Sequence, residues 1–220
     1  MHWLLEKTVK YVKRKCYDSI NDGDNMLSNI SEEKHTKLRA SNLYTSGVID
    51  NHSTGCFEDL LFIHRYMFQD VYTFAGELRT VNMSKGNFRF ADVRFLEESI
   101  ALVERMPCDD FNSIIEKYVE INIIHPFRED NGRAMRIWIN ALLKSKIGKV
   151  IDWSIIGREK YFTAMIKSPV DDANLKDLLY NSLTENINDY SMILKGIDQS
   201  FYFEDCDNYE FNGGTLCLRE

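Results

Sequence analysis

Twelve residues, His125-Pro126-Phe127-Arg128-Glu129-Asp130-Asn131-Gly132-Arg133-Ala134-Met135-Arg136, place an imidazole, a carboxylate, a glycine-containing turn and two arginines in one short stretch. Each has a use in group transfer. An imidazole takes a proton from an attacking hydroxyl near neutral pH, which makes His125 the candidate base. Glu129 is a hard oxygen ligand of the kind Mg²⁺ uses when it bridges phosphates. The stretch runs directly into an apolar helical pattern of Met135, Ile137, Trp138, Ile139, Ala141, Leu142 and Leu143. A loop that opens a helix offers an anion free backbone N–H groups and the positive end of the dipole. Arg133 and Arg136 stand three apart, so they are neighbours on the first turns and can share a polyphosphate lying over Asn131 and Gly132. The chemistry these residues suggest is nucleotidyl or phosphoryl transfer.

The rest of the chain must supply a scaffold for that loop. With 220 residues, 44% of them hydrophobic and 12% aromatic, it can bury a substantial core. Only 3 Pro and 11 Gly favour helices over a turn-dense β fold. A formal net charge of −7 argues against binding nucleic acid through a broad basic surface. A nucleotide needs only a local positive cluster. The five Cys are odd in number and form no CxxC pair, which fits reduced thiols better than a disulfide framework or a zinc site. The start of the chain has no signal-peptide pattern, and no run of eighteen apolar residues occurs, so a soluble cytoplasmic protein without a membrane partner is expected. His2, His35, His52 and His64 are scattered. His64 lies in an apolar helical run and reads as packed or hydrogen-bonded.

Periodicity and caps predict an all-α layout. A short basic helix is expected over Leu4 to Ile20, followed by a polar stretch from Asn21 to Ser31. Ser31 caps a helix running toward Leu43. Further helices are expected over Phe57 to Phe68, Val93 to Met106, Asp110 to Ile124, Gly132 to Lys146, Arg158 to Lys167, Ala173 to Asn186 and Ile187 to Glu204. The exception is Asn82 to Phe90, where a Gly-Asn turn between short alternating segments reads as a hairpin. The domain plan is residues 1–30 as N-terminal helix and linker, 31–186 as the core, 187–204 as a C-terminal helix, and 205–220 as a tail of little pattern.

The motif resembles the signature of the Fic proteins, H-P-F-x-[D/E]-G-N-G-R-x-x-R, and matches it at every defined position but one. Asp130 stands where the family usually has Gly. The resemblance extends from about Ser31 to Glu204 and includes Val71-Tyr72-Thr73-Phe74-Ala75-Gly76-Glu77-Leu78-Arg79. It implies a Fic helical bundle in which the hairpin is the flap, with Ser84, Lys85, Gly86, Asn87 and Phe88 docking an extended segment of a target by backbone pairing. It also implies a protein adenylyltransferase. ATP with Mg²⁺ on Glu129 would be held by Asn131, Gly132, Arg133 and Arg136, and His125 would deprotonate a Ser, Thr or Tyr hydroxyl of the target protein.

Ser200-Phe201-Tyr202-Phe203-Glu204-Asp205 is similar to the family's inhibitory pattern [S/T]-x-x-x-E-[G/N] in its C-terminal version, class III. Spacing of four puts Ser200 and Glu204 on one helical face. Glu204 is therefore expected against Arg136, with Ser200 near the Asn131-Gly132 turn. Asp205 departs from the usual Gly or Asn. By the same resemblance, class III relatives modify type II topoisomerase subunits and are controlled by self-association, so such a subunit and a homo-oligomer are the expected partners.

Asp130 leaves alternatives open. It tolerates a left-handed backbone and can cap the following helix. Its charge could also repel or compete with phosphate, or add a metal ligand. Two further readings stay beside adenylyl transfer: a Fic-fold transferase using another nucleotide or a phosphoryl donor, and a catalytically weak binding module.

Overall fold

The computed structural model describes residues 22–219, and for residues 22–31 the backbone alone. The helix expected over Leu4 to Ile20 lies outside the described residues. Among the described residues there are eight α-helices: α1 (Asp22–Thr45), α2 (Phe57–Phe68), α3 (Leu96–Glu104), α4 (Phe111–Ile124), α5 (Asn131–Ile147), α6 (Arg158–Lys167), α7 (Ala173–Tyr180) and α8 (Tyr190–Tyr202). Three two-stranded antiparallel pairs accompany them: β1 (Ser84–Lys85) with β2 (Phe88–Arg89), β3 (Val150–Ile151) with β4 (Leu183–Thr184), and β5 (Tyr209–Asn212) with β6 (Thr215–Leu218). No helix among the described residues is long and apolar enough to cross a membrane.

Helix α5 is the axis of the bundle. Apart from Gly132, every residue from Asn131 to Leu143 is buried, because helices pack on all of its faces. Leu60, Ile63 and Met67 of α2 and Ile114, Ile115, Tyr118 and Ile121 of α4 meet Trp138, Ile139 and Leu142 of α5 in one core. Burial of large apolar side chains at about 25 cal/mol per Å² is the main force holding these elements together. α4 begins with a reciprocal cap. Asp110 Oδ1 accepts the Ser113 N–H at 2.9 Å, and Ser113 Oγ accepts the Asp110 N–H at 3.2 Å.

The chain departs from the sequence expectations at several element ends. α1 starts at Asp22 rather than at a Ser31 cap, so the break expected at residue 31 falls inside a helix. Extending a nucleated helix costs only propagation, and the penalties of Asn, Asp and Ser there are small. The Val93 segment opens with a 3₁₀ turn, Val93–Phe95, capped by Asp92. α7 stops at Tyr180 because Leu183 and Thr184 leave to pair with Val150 and Ile151. Two-residue pairing of Val150 with Thr184 and Ile151 with Leu183, far apart in the chain, leaves no local periodicity to read. α8 is shorter than expected at both ends: Asp189 caps it through Met192 N–H at 3.0 Å, and it ends at Tyr202.

The expected tail is instead a hairpin, β5–β6, turned by Gly213 and Gly214 at φ 56° and 87°. Polar groups fasten it to the bundle. Glu33 accepts the N–H groups of Asn208 and Tyr209 at 3.0 and 2.9 Å, and Asp198 accepts that of Phe211 at 2.8 Å. Lys37, buried between those two carboxylates, donates to the Tyr209 carbonyl.

Candidate active site

The loop His125–Asp130 joins the C-terminus of α4 to the N-terminus of α5, and both of its ends take the left-handed conformation. His125 has φ 51° and Asp130 has φ 59°. Asn131 closes the loop upon itself: its Oδ1 accepts the Phe127 N–H at 2.9 Å, and its Nδ2 donates to the Phe127 carbonyl at 2.8 Å. The Asn131 side chain thus shapes the turn. Below the loop, Phe127 stacks on His64 at 3.9 Å. His64 Nδ1 accepts the Gly76 N–H at 2.9 Å, which leaves the proton on Nε2 to donate to the Glu129 carbonyl at 3.1 Å. Burial holds this imidazole down to about 4, so it is neutral and structural. The packed, hydrogen-bonded role expected for His64 is the one observed.

Arg79 is the residue that sequence reading missed. It is 3% exposed. Its guanidinium donates to the carbonyls of His125 at 2.7 Å, Val81 at 2.6 Å, Ile124 at 3.1 Å and Ala91, while its own N–H donates to Pro126. One cation therefore ties the hairpin's two arms to the motif loop. No local signal marks it, since the acceptors of its guanidinium are backbone atoms up to 46 positions away.

The His125 ring stacks on Phe90, just past β2, at 3.8 Å and 11°. Its Nδ1 is buried and makes no hydrogen bond of ordinary geometry, although the Asn122 carbonyl lies close enough to favour its protonation slightly. Burial, then the positive charges of Lys85 and Arg79, push the imidazole down to about 3. It is neutral at pH 7. The hairpin carrying Ser84, Lys85, Gly86, Asn87 and Phe88 lies beside it: Ser84 pairs with Arg89 and Lys85 with Phe88, around Gly86 at φ 60°. All of these but the half-buried Phe88 are exposed.

The other wall is the first turn of α5. Arg136 is 2% exposed and lies over the rings of Tyr161 and Phe203. Its Nε donates to Ser200 Oγ at 2.7 Å, and its Nη2 donates to the Ser200 carbonyl and to Glu204 Oε1, both at 2.9 Å. The expected Glu204–Arg136 pair is present. Ser200, however, bonds Arg136 itself rather than the Asn131-Gly132 turn. Burial alone would raise the Glu204 carboxyl, but Arg136, with Lys85 and Arg133, holds it at about 2. Glu204 occupies the turn after α8, not the helix, and Asp205 follows it at φ 59°. That is the backbone region the pattern's Gly or Asn would favour. A bidentate pair with Arg158 at 2.6 and 2.8 Å secures the turn. Gly132 lies directly beneath: a Cβ there would come within 2.7 Å of Glu204 Oε1 and 3.0 Å of Arg136 Nη1.

Arg133 is not presented beside Arg136. Its Nε donates to Asp130 Oδ1 at 2.6 Å, and its Nη2 reaches the same oxygen. Asp130 takes the N-cap position, but the side-chain cap that was one of its open alternatives is not made, since it accepts no bond from the first turn's N–H groups. Nor is Asp130 a rim ligand for a metal, being buried and committed to arginine. Glu129 is exposed at the rim, its carboxyl raised by partial desolvation and then by Asp130. Among the described residues no three or more His, Cys, Asp or Glu side chains cluster as a metal site. A single exposed carboxylate still fits Mg²⁺, which takes its remaining ligands from phosphates and water.

Residues 55–143 match the family model described as Fic/DOC family. The chain is 32% identical over 150 residues to the protein adenylyltransferase VbhT of Bartonella schoenbuchensis, covering 62% of this chain and 31% of that one. It is 28% identical over 132 residues to the probable protein adenylyltransferase Fic of Escherichia coli, covering 55% and 66% respectively. It therefore spans about a third of the first relative and just under two thirds of the second. Among solved structures it superposes on the N-terminal Fic domain of a VirB-translocated Bep effector of Bartonella quintana with bound ADP, at TM-score 0.60 and 20% identity, covering 76% of this chain and 88% of that one. It superposes on BepC of Bartonella tribocorum with bound AMPPNP at TM-score 0.58 and 18% identity, covering 75% and 89%. The signature loop between α4 and α5 and the hairpin over its histidine both lie inside residues 55–143, the part of the chain that matches the Fic/DOC family model.

Proposed function

We propose that this chain is a protein adenylyltransferase whose own C-terminal segment keeps it off. The observation that carries this reading is the Arg136–Glu204 pair over Gly132, because it fills with a protein carboxylate the place where a nucleotide phosphate would sit. Neutral His125 under an exposed hairpin supports the acceptor half. An extended target segment pairs with the β1–β2 edge, and His125 takes the proton of its Ser, Thr or Tyr hydroxyl. The hydroxyl oxygen bonds to the α-phosphorus of ATP, the bond from that phosphorus to the bridging oxygen breaks, and pyrophosphate leaves. Glu129 is the residue to hold Mg²⁺, which would neutralise phosphate charge when bound. The relatives named protein adenylyltransferases support the choice of AMP as the transferred group.

The finer parts of the reading follow the class III resemblance. Ser200 and Glu204 are the inhibitory residues, a type II topoisomerase subunit is the target class, and control acts through self-association in the cytoplasm. The test is labelling of lysate with [α-³²P]ATP by the wild type and Glu204→Gly. Charge-assisted hydrogen bonds contribute roughly 1.5–3 kcal/mol, so removing the competitor should raise labelling about 10- to 100-fold. A folded, ATP-binding Glu204→Gly that labels no more than wild type defeats the inhibitory role. A second reading, transfer from another nucleotide, is favoured by the capture of Arg133, and the mass added to the target separates the two.

A further inference from the structure

The loop preceding α5 contains more negative charge than a phosphate site needs, and the structure shows where it is directed. Asp130 and Arg133 stand one turn apart, and Asp130 Oδ1 takes both Nε and Nη2 of the guanidinium. Glu32 of α1 adds Oε1 at 3.3 Å from the same Nη2, and Tyr72 holds that carboxylate with its hydroxyl at 2.7 Å. The rings of Phe68 and Phe201 lie 5.2 and 4.8 Å from the guanidinium carbon. Arg133 is 4% exposed. Two carboxylates therefore face one cation, and the surplus charge at the start of the helix is negative.

Both carboxylates of this capture come from the loop and α1, and neither comes from α8. Phe201 belongs to α8 and would leave if that helix moved, whereas Asp130 and Glu32 would stay. The geometry is also incomplete: Asp130 Oδ2 and Arg133 Nη1 are both buried without a partner. A guanidinium with an unsatisfied edge binds less firmly than a bidentate pair would and can be drawn away by a stronger anion.

We infer that Asp130 is a second competitor for the donor's phosphates, withholding Arg133 as Glu204 withholds Arg136, and remains in place after Glu204 is displaced. This deepens the nucleotide-transfer reading and rests on it. Asp130 acts through Arg133 as a positioning residue. It keeps donor affinity low in the released enzyme and leaves Arg136 as the cation available to the polyphosphate.

The test measures ATP and AMP affinity by calorimetry for Glu204→Gly, Glu204→Gly/Asp130→Asn, and that double variant with Arg133→Met added. Asn matches Asp in size, removes the charge and tolerates the left-handed backbone at position 130. Asp130→Gly, which suits the same backbone, serves if the Asn variant does not fold. ATP should bind about fivefold tighter or more once Asp130 is neutral. AMP, lacking the β- and γ-phosphates, should gain less, and Arg133→Met should erase the gain. Unchanged or weaker ATP binding in the folded double variant overturns the inference. So does a gain that persists without Arg133 or is equal for AMP. If Glu204→Gly binds ATP yet transfers nothing, the transfer reading fails while the comparison of affinities still stands. If no variant binds ATP, both fall.

Discussion

The two walls of the loop are built on opposite plans. On the His125 side the protein provides position and leaves the chemistry open. Arg79 pins the backbone and Phe90 the ring, Nδ1 has no ordinary hydrogen bond, and the hairpin alongside is exposed. On the arginine side every charge already has a protein partner: Arg136 has Ser200 and Glu204, and Arg133 has Asp130 and Glu32. A neutral imidazole costs little to keep ready, because no counter-ion must be removed to expose it. A buried guanidinium left without an anion is expensive, by about 3–5 kcal/mol for a broken pair. A phosphate site built from buried arginines therefore needs some carboxylate when the nucleotide is absent. Under the proposed function, control would therefore act on the donor side, where the protein's own anions must give way.

The largest expected effect tests that division. In the Glu204→Gly background, His125→Ala should lower transfer by about 10²- to 10⁴-fold and leave ATP affinity unchanged. If calorimetry shows ATP affinity falling as it does for an arginine variant, the two walls are not separable. Next is the clamp. Arg79→Met strands four carbonyls, and the stability lost should be about 3 kcal/mol or more in urea unfolding. A variant as stable as its parent would mean the hairpin is placed by something other than Arg79.

The smallest effect concerns pH. His125 and His64 are held down to about 3 and about 4, both first by burial. Below about 6.5 the unfolded chain takes up protons that these histidines refuse, so stability rises with pH across that range and falls as pH drops toward about 4. Melting temperature should therefore be lower at pH 5 than at pH 7. The kcat/KM of Glu204→Gly should show no titration of the base near about 6.5. An inflection there would place His125 in a wetter setting than the stacked, buried one observed.

Much of this was readable locally. The apolar spacing of α2, α4, α5 and α6 and the Asp110 cap of α4 lie within each helix, as do the alternation and Gly-Asn turn of the β1–β2 hairpin, and those elements stand where the pattern puts them. His125, Glu129 and the two arginines could be named as candidates from twelve consecutive residues, because a loop that opens a helix is itself a local structure. The Glu204–Arg136 pair was legible only as a spacing of four and a resemblance. What a side chain is bonded to depends on groups brought from far along the chain or on a rotamer the spacing does not specify. Arg79 found backbone carbonyls on three other segments, and the C-terminal hairpin found Glu33, Lys37 and Asp198. Asp130 shows the difference most plainly. Its sequence position allowed a cap, a metal ligand or a competitor for phosphate. The buried guanidinium of Arg133, enclosed by Phe68, Phe201 and Glu32, decided among them, because an arginine removed from water takes the nearest carboxylate.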